Sequence, residues 1–247
     1  MTPREQQIID LVMGDTLISV AELSRRLGVS QVTVRSDFQT LFEKGYLVRT
    51  EKGFLPAFHP AVMERQKNRN REKERIARYA AELVKNGDTI MIEAGTTTSL
   101  IVRFLLGKRD IRIVTNSALV LPYGRIHPSL NIVLLGGEFR ASTESFVGPV
   151  TLKELSEFHV RLAFVGTDGF TLEKGLSTHL VEGAEVVRKM SAQATETVLV
   201  ADSSKFGKTG FVKVLPLDAV HTLVTDTGLG SSAGAQIREL GVNLALV

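Results

Sequence analysis

The chain has 247 residues, of which 43% are hydrophobic and 23% charged, a composition typical of a globular protein with one large domain or two smaller ones. It contains no cysteine, which excludes a disulfide framework, a thiolate nucleophile and a cysteine-ligated metal cluster. The first residues lack the apolar core of a signal peptide, and no apolar run approaches the ~18 residues of a membrane span. We therefore expect a cytoplasmic protein.

The net charge is +3, and the excess of basic residues lies in one short segment. Residues 58–80 contain 7 basic and 3 acidic side chains, whereas the two totals are 7 and 7 in residues 1–57 and 16 and 17 in residues 81–247. A solvated helical linker explains such a local excess without any nucleic acid. The total charge therefore does not identify a polyanionic partner.

Residues 1–57 are predicted to form a small domain of three helices and a β-hairpin, with a short extended segment at 17–20 after the first helix. Gly28 ends the second helix, because glycine tolerates the positive φ of a sharp turn. Ser30 caps the third helix, whose apolar residues recur on one face. The hairpin follows at residues 46–55.

A charged linker that becomes the start of a helix is predicted at 58–78, and an α/β domain at 79–247. In that domain short apolar runs alternate with helical patterns, which predicts a mostly parallel sheet with helices on both faces. The predicted strands are 89–92, 111–114, 132–135, 162–165, 198–201, 222–225 and 244–247. The predicted helices between them are 98–106, 118–126, 151–158, 182–194 and 233–240.

The first domain has the features of a helix-turn-helix module. These are a glycine at the tight turn, an apolar clamp between two helices and an outer helix face of short polar and basic side chains suited to the major groove. Gln and Arg can bond base edges through two contacts, whereas Ser and Thr suit phosphates or thymine methyl groups. The candidate DNA contacts are Ser30, Gln31, Thr33, Arg35, Ser36 and Gln39 on the third helix, with Arg49 and Lys52 on the hairpin. Spacing alone leaves open a small helical bundle that mediates protein contacts.

The chain resembles the DeoR family of bacterial sugar-metabolism regulators, and the matching motifs occur in order along almost its whole length. In the first domain the motifs are residues 20–23, 28–30, 33–38 and 45–47 together with Leu41. In the second domain they are residues 72–77, 92–97, 114–117, 135–137, 164–169, 201–207 and 225–226. The resemblance implies a winged helix-turn-helix followed by a sensor domain with the fold shared by ribose-5-phosphate isomerase and CoA transferases. It also implies a repressor of a carbohydrate-utilisation operon that senses a phosphorylated sugar or related metabolite.

The first candidate ligand loop is Gly95-Thr96-Thr97-Thr98-Ser99, between the predicted strand 89–92 and a predicted helix. Backbone N–H groups at a helix start, a flexible glycine and several hydroxyls would form an anion cradle. The loop matches neither the P-loop nor the dinucleotide fingerprint, so no ATP or NAD cofactor is predicted. Plain helix capping by Thr97 or Thr98 is the alternative.

Further candidates follow the other strands, because parallel α/β sheets bind ligands at the carboxyl ends of their strands. An amide can orient sugar hydroxyls, glycines permit a close backbone approach, and Arg or Lys can hold a phosphate. The predicted effector contacts are Gly95, Thr96, Thr97, Thr98, Asn116, Gly136, Gly137, Arg140, Asp168, Gly169 and Lys205. Taken singly, each is also an ordinary turn or surface residue.

Two other functions are compatible with the sequence. The first is a sugar-phosphate isomerase, with Asp168, Glu182 or Glu185 as proton-transfer carboxylates and Lys205 on the phosphate; the preceding DNA-binding module argues against it. The second is a protein-interaction adaptor with neither activity. The five histidines have no metal-ligand spacing, so no metal site is predicted. A homo-oligomer is expected, because one winged helix offers only a small DNA interface.

Overall fold

The structure is a computed structural model that describes residues 2–50 and 53–247. The chain divides into two units, Met1–Arg65 and Gln66–Val247. The segment predicted as a charged linker is mostly helical and contains this division. None of the described helices is long and apolar enough to cross a membrane.

The N-terminal unit has three helices, a hairpin and the start of a fourth helix around an apolar core. The core is formed by side chains from the first three helices and the hairpin, among them Ile8, Leu23, Val34 and Leu41. The elements are α1 (Pro3–Gly14), α2 (Val20–Leu27), α3 (Gln31–Glu43), β1 (Leu47–Thr50), β2 (Gly53–Pro56) and α4 (Pro60–Lys67).

The extended segment predicted at residues 17–20 is wrong: these residues form a turn and the start of α2. The carboxylate of Asp15 accepts a hydrogen bond from the Leu17 N–H at 3.0 Å, which closes a local turn. The hydroxyl of Ser19 then accepts from the Glu22 N–H at 3.1 Å and caps α2. Local hydrogen bonds of short polar side chains therefore outweigh the strand tendency of the apolar pair between them.

The described C-terminal unit contains twelve strands: seven form a central sheet, and the other five form one three-stranded and one two-stranded accessory sheet. Its first elements are α5 (Asn70–Glu82), β3 (Thr89–Ile92), α6 (Leu100–Arg103), β4 (Ile111–Thr115), α7 (Leu121–Gly124), β5 (Leu130–Leu134), β6 (Glu138–Arg140) and β7 (Ser145–Val147). They are followed by α8 (Pro149–Leu155), β8 (Val160–Val165), β9 (Gly169–Thr171), β10 (Gly175–Thr178), α9 (Val181–Ala192), β11 (Ala194–Val200), β12 (Val212–Lys213), β13 (Thr222–Thr225), α10 (Ser231–Glu239) and β14 (Asn243–Leu246).

Seven strands form the central sheet in the order β14-β13-β11-β8-β3-β4-β5, and each neighbouring pair is parallel. Successive residues of β3 point to opposite faces: Ile90 and Ile92 join the core under α5 and α6, and Met91 joins the core under α8 and α9. Both faces are buried, which explains why the strand is a continuous apolar run. The predicted parallel α/β architecture is confirmed, and all seven carboxyl ends lie at one edge.

Some predicted elements of this unit differ from the structure. The helix predicted at 98–106 is only Leu100–Arg103, because the residues before it form turns in which the Thr98 hydroxyl donates to the Gly95 carbonyl at 3.0 Å. The predicted strands 89–92 and 222–225 match β3 and β13, and the ends of the other predicted helices and strands are shifted by a few residues. The hairpin of β6 and β7 and the small sheet β12-β10-β9 were not predicted.

Candidate functional site

The α3 helix presents a polar face to solvent and an apolar face to the core. Gln31, Arg35, Ser36 and Gln39 are exposed, whereas Val34 on the other face is fully buried. Within the described residues, Gln31 and Arg35 have no side-chain hydrogen bond or ion pair, and Gln39 donates to Glu43 at 2.8 Å. The side chains predicted to reach base edges are therefore accessible to DNA. In the described structure those of Gln31 and Arg35 make no hydrogen bond that DNA binding would have to break.

Ser30 and Thr33 are used within the turn. The Ser30 hydroxyl accepts from the Thr33 N–H at 3.1 Å, and the two hydroxyls lie 2.9 Å apart. Gly28 has a φ of 65°, as expected for the turn that precedes this cap. These residues therefore set where α3 begins, and their remaining hydrogen-bonding capacity faces solvent.

Val32 is a surface residue of α3 that the sequence reasoning missed. Its side chain is 73% exposed, next to Gln31 at the start of the helix. An exposed valine at that place can contact a thymine methyl group in the major groove. In the sequence, Val32 does not fall on the apolar face of the predicted helix, and this was the available sign that its side chain is exposed.

The hairpin packs on α3 through aromatic rings. Phe54 of β2 stacks on Phe38 with centroids 4.7 Å apart and meets Phe42 edge-on at 6.4 Å. Arg49 is exposed on β1, opposite Phe54 in the strand register. Lys52, the other predicted hairpin contact, lies outside the described residues.

Two ion pairs fix α3 against α1. The Arg4 guanidinium makes two bonds to the Asp37 carboxylate, at 2.7 and 3.0 Å. Lys44 donates to the buried Glu5 carboxylate at 2.8 Å, and this hydrogen bond holds the pKa of Glu5 below its ordinary value. Both pairs orient the helix that carries the exposed Gln and Arg side chains.

In the C-terminal unit, the loop after β3 is the one predicted to bind an anion. The N–H groups of residues 95–98 find no hydrogen-bond acceptor within residues 2–50 and 53–247. Thr96 and Thr97 are partly exposed. Because α6 is a single turn, the favourable field comes from these amides and from nearby cations, and the predicted helix dipole contributes little.

Lys73 supplies such a cation and was missed in the sequence. It lies on α5, is 5% exposed, and its ammonium donates to the Thr96 hydroxyl at 3.2 Å. In the sequence it shares the helical stripe of Ile76, Ala77 and Ala80, where an apolar residue is expected. A lysine on an apolar stripe was therefore the available signal.

The loop after β3 is held by neighbouring strand ends. Asn116 is buried: its side-chain oxygen accepts from the Ala94 N–H at 2.9 Å, and its amide donates to the Phe146 carbonyl at 3.0 Å. The Glu93 carboxylate accepts from the Gly166 N–H at 3.1 Å. Asn116 thus positions the loop, a different role from the predicted contact with a sugar hydroxyl.

Gly136 and Gly137 are occupied by packing against α8. The Gly136 N–H donates to Glu154 at 2.7 Å and its carbonyl accepts from Thr151 at 2.6 Å. A Cβ on Gly137 would lie 2.6 Å from the Val147 carbonyl oxygen, and its φ is 136°. The space beside these glycines, which was predicted to admit a ligand, is filled by groups of the protein.

Arg140 and Asp168 also have partners within the protein. Arg140 forms a short ion pair with Glu182 at the start of α9. One Asp168 oxygen accepts from the Thr178 hydroxyl at 2.8 Å and the His179 N–H at 2.9 Å. Gly169 faces the backbone of Lys208, where a Cβ would lie 2.5 Å from the carbonyl oxygen.

The loops after β11 and β13 contain two buried carboxylates, Asp202 and Asp226, beside Lys205. Asp202 caps the turn Ser203–Lys205 by accepting from Ser204. Burial by itself would raise the pKa of Asp226, but hydrogen bonds from Ser203 and Gly228 and the charge of Arg69 hold it below the ordinary value. The Lys205 ammonium has no hydrogen bond or ion pair within the described part of the chain, so it is available to an anion.

The three carboxylates considered for an isomerase have different surroundings. Asp168 bonds the loop after β10, Glu182 pairs with Arg140, and Glu185 is exposed in a groove between α8 and α9. Among the described residues no group of three potential ligands is placed to hold a metal ion.

A winged helix-turn-helix followed by a parallel α/β domain defines a ligand-responsive transcriptional regulator. Family models match both parts: the DeoR-like helix-turn-helix domain over residues 4–55 and the DeoR C-terminal sensor domain over residues 68–227. The chain belongs to the DeoR family of transcriptional regulators, which confirms the resemblance seen in the sequence and does not support an isomerase.

Relatives match over nearly the whole chain. The HTH-type transcriptional regulator IolR of Bacillus subtilis is 30% identical over 98% of this chain and 98% of its own. The glycerol-3-phosphate regulon repressor of Escherichia coli is 31% identical over 91% of this chain and 90% of its own. Among solved structures, ribose 5-phosphate isomerase A of Methanocaldococcus jannaschii is 23% identical, with a TM-score of 0.39 over 54% of this chain and 53% of its own. At that score the structural likeness is distant.

Proposed function

We propose that this chain represses a carbohydrate-utilisation operon and that a phosphorylated sugar-like metabolite, bound at the carboxyl edge of the parallel sheet, changes its affinity for the operator. The phosphate is assigned to the loop 95–98, between the ammonium groups of Lys73 and Lys205. The observation that carries this assignment is the buried Lys73 ammonium 3.2 Å from the Thr96 hydroxyl, beside a run of N–H groups without acceptors in the described residues. One relative is named as a repressor of a glycerol-3-phosphate regulon, which supports a phosphorylated ligand.

We assign different roles to the predicted effector residues. Gly95, Thr96, Thr97 and Thr98 contact the phosphate through backbone amides, and Thr96, Thr97 and Lys205 add two hydroxyls and an ammonium. The Thr98 hydroxyl is buried and donates to the Gly95 carbonyl. Asp168 has one carboxylate oxygen without a hydrogen bond in the described structure, and we assign it to a sugar hydroxyl. The remaining predicted residues position the loops through contacts within the protein: Asn116, Gly136, Gly137, Arg140 and Gly169.

The DNA contacts are assigned to α3 and the hairpin. Gln31, Arg35 and Gln39 read base edges, with Ser36 on the backbone or thymine methyl groups. Ser30 and Thr33 contact phosphates through the turn that they form, and Arg49 and Lys52 reach the backbone from the hairpin.

A mobility-shift experiment tests the proposal. The protein is expected to shift the DNA upstream of its own operon, and at least one of ribose 5-phosphate, fructose 6-phosphate and glycerol 3-phosphate should change the apparent Kd about tenfold or more, a coupling of about 1.4 kcal/mol. The dephosphorylated sugars serve as controls. A shift that no phosphorylated compound alters, or a ribose-phosphate isomerase activity without any shift, would overturn the proposal.

Oligomerisation is expected because a symmetric dimer that binds two half-sites combines two weak interactions through a high effective concentration. Analytical ultracentrifugation at micromolar concentration should show a dimer or larger species. A strict monomer that still binds the operator tightly would contradict the expectation.

A further inference from the structure

Arg69 occupies an unusual place at the start of α5. It lies two residues after the end of α4, which contains the division between the two units. Its φ is 55°, in the left-handed region that non-glycine residues rarely adopt, and no side chain caps the helix there. Other contacts must therefore hold it in this conformation.

Those contacts are made to two buried carboxylates. Arg69 Nη2 donates to Asp226 Oδ2 at 3.0 Å and to the Ser203 hydroxyl at 3.2 Å, and Arg69 Nε lies 3.1 Å from Asp202 Oδ1. Both carboxylate side chains are 3% exposed. Loss of the guanidinium would leave two buried anions without this cation, so the start of α5 and the two strand ends are held together strongly.

The same contacts reach the turn that carries Lys205. Asp202 Oδ1 also accepts from the Ser204 N–H at 3.1 Å and from its hydroxyl at 2.5 Å, and thereby shapes the turn Ser203–Lys205. The Arg69 Nε, although beside Asp202, is buried without a hydrogen-bond acceptor in the described part of the chain. A small movement of this turn would therefore change the balance of the contacts at Arg69.

One helical turn further along α5, Lys73 reaches Thr96 in the loop after β3. The first two turns of α5 thus contact both loops to which the phosphate is assigned. They are also the first helical residues after α4.

We propose that Arg69, Asp202 and Asp226, here called the arginine latch, are the element through which occupancy of the effector site changes operator affinity. This inference rests on the proposed function for the location of the effector site. A phosphate that binds Lys205 displaces the Ser203–Lys205 turn, the latch contacts rearrange, and the start of α5 moves with the chain that leads to the DNA-binding unit. The latch has two arrangements of different effector affinity, as any such coupling requires.

The test uses full-length Arg69→Gln, Asp226→Asn and the double variant that carries both substitutions. Arg71→Gln is the control variant. Arg71 lies two residues further along the same helix, is exposed, and has no side-chain partner within the described residues. Operator Kd is measured by fluorescence anisotropy, first without ligand and then with ribose 5-phosphate, fructose 6-phosphate and glycerol 3-phosphate. Direct binding of the same compounds is measured by calorimetry.

Without ligand, both single latch variants should change operator Kd at least fivefold, and the double variant no more than the larger single change. A compound that changes the operator Kd of the wild type should change the operator Kd of the latch variants less than twofold. The Kd of the compound itself for these variants should stay within threefold of its wild-type value. Arg71→Gln should match the wild type in both measurements. Arg69→Lys, which keeps the charge but cannot bridge both carboxylates, should reduce the response at least threefold and fold normally by thermal unfolding.

Wild-type operator affinity without ligand in Arg69→Gln and Arg69→Lys would overturn the latch. If none of the compounds binds the wild type, the proposed function fails, and the ligand-free measurement still decides the latch. If Arg69→Gln unfolds, the operator affinity of Arg69→Lys without ligand decides whether the latch is correct.

Discussion

Alanine at Arg35 or Gln31 should each weaken operator binding by about 1–3 kcal/mol, or roughly five- to 150-fold in Kd, and weaken binding to random DNA much less. Both side chains lie on the exposed face of α3 without partners in the described structure, so their removal takes away no intramolecular bond. Anisotropy titrations at fixed salt against operator and random duplexes measure the two losses.

Arg125→Ala is a matched control for loss of one positive charge. Arg125 is exposed and lies in the C-terminal unit, so its removal should leave both affinities within about twofold. Equal losses on operator and random DNA for Arg35→Ala would assign that residue to the phosphate backbone. No loss on either duplex would remove α3 from the DNA interface.

The features that could be predicted from sequence are those that depend on neighbouring residues. The bounds of β3 and β13 match the predicted strands, because each is an apolar run bounded by polar or turn residues. The turn at Gly28 and the cap at Ser30 were also predicted, since positive φ and side-chain capping are local requirements.

The role of Asn116 could not be predicted in this way. Its partners, Ala94 and Phe146, lie 22 and 30 residues away in the chain, and only the adjacency of β3 and β4 and the hairpin after β5 bring them together. The sequence places a polar amide after a strand, and that position is equally compatible with a ligand contact and with a structural bond.

The loop at residues 95–98, predicted to bind an anion, is followed by a shorter helix than the sequence indicated. The glycine and hydroxyls of residues 95–98 are where the sequence indicated, but the helix expected after them is one short turn. The ammonium that contacts this loop belongs to Lys73 on α5, 23 residues from Thr96 in the chain. The loop was therefore predictable from local sequence, whereas the charged group beside it is brought there by a helix distant in the chain.

The double variant Thr97→Val, Lys205→Gln should abolish the response to the metabolite and leave operator binding without ligand within about twofold of the wild type. A hydrogen bond to a charged group contributes about 1.5–3 kcal/mol, so loss of the Lys205 ammonium alone should raise the required metabolite concentration about tenfold or more. Neither side chain has a hydrogen-bond partner within the described residues, so the substitutions remove no intramolecular side-chain bond. Operator anisotropy at increasing metabolite concentration measures the response.

Lys208→Gln is the matched control, because Lys208 is an exposed lysine three residues further along whose side chain makes no hydrogen bond or ion pair in the described structure. It should respond like the wild type. Lys73→Gln should lose the response as well, with thermal unfolding recorded because that lysine is buried. If the double variant responds at wild-type metabolite concentrations, the phosphate binds elsewhere; if it unfolds, Thr97 and Lys205 are structural and the loop is no ligand site.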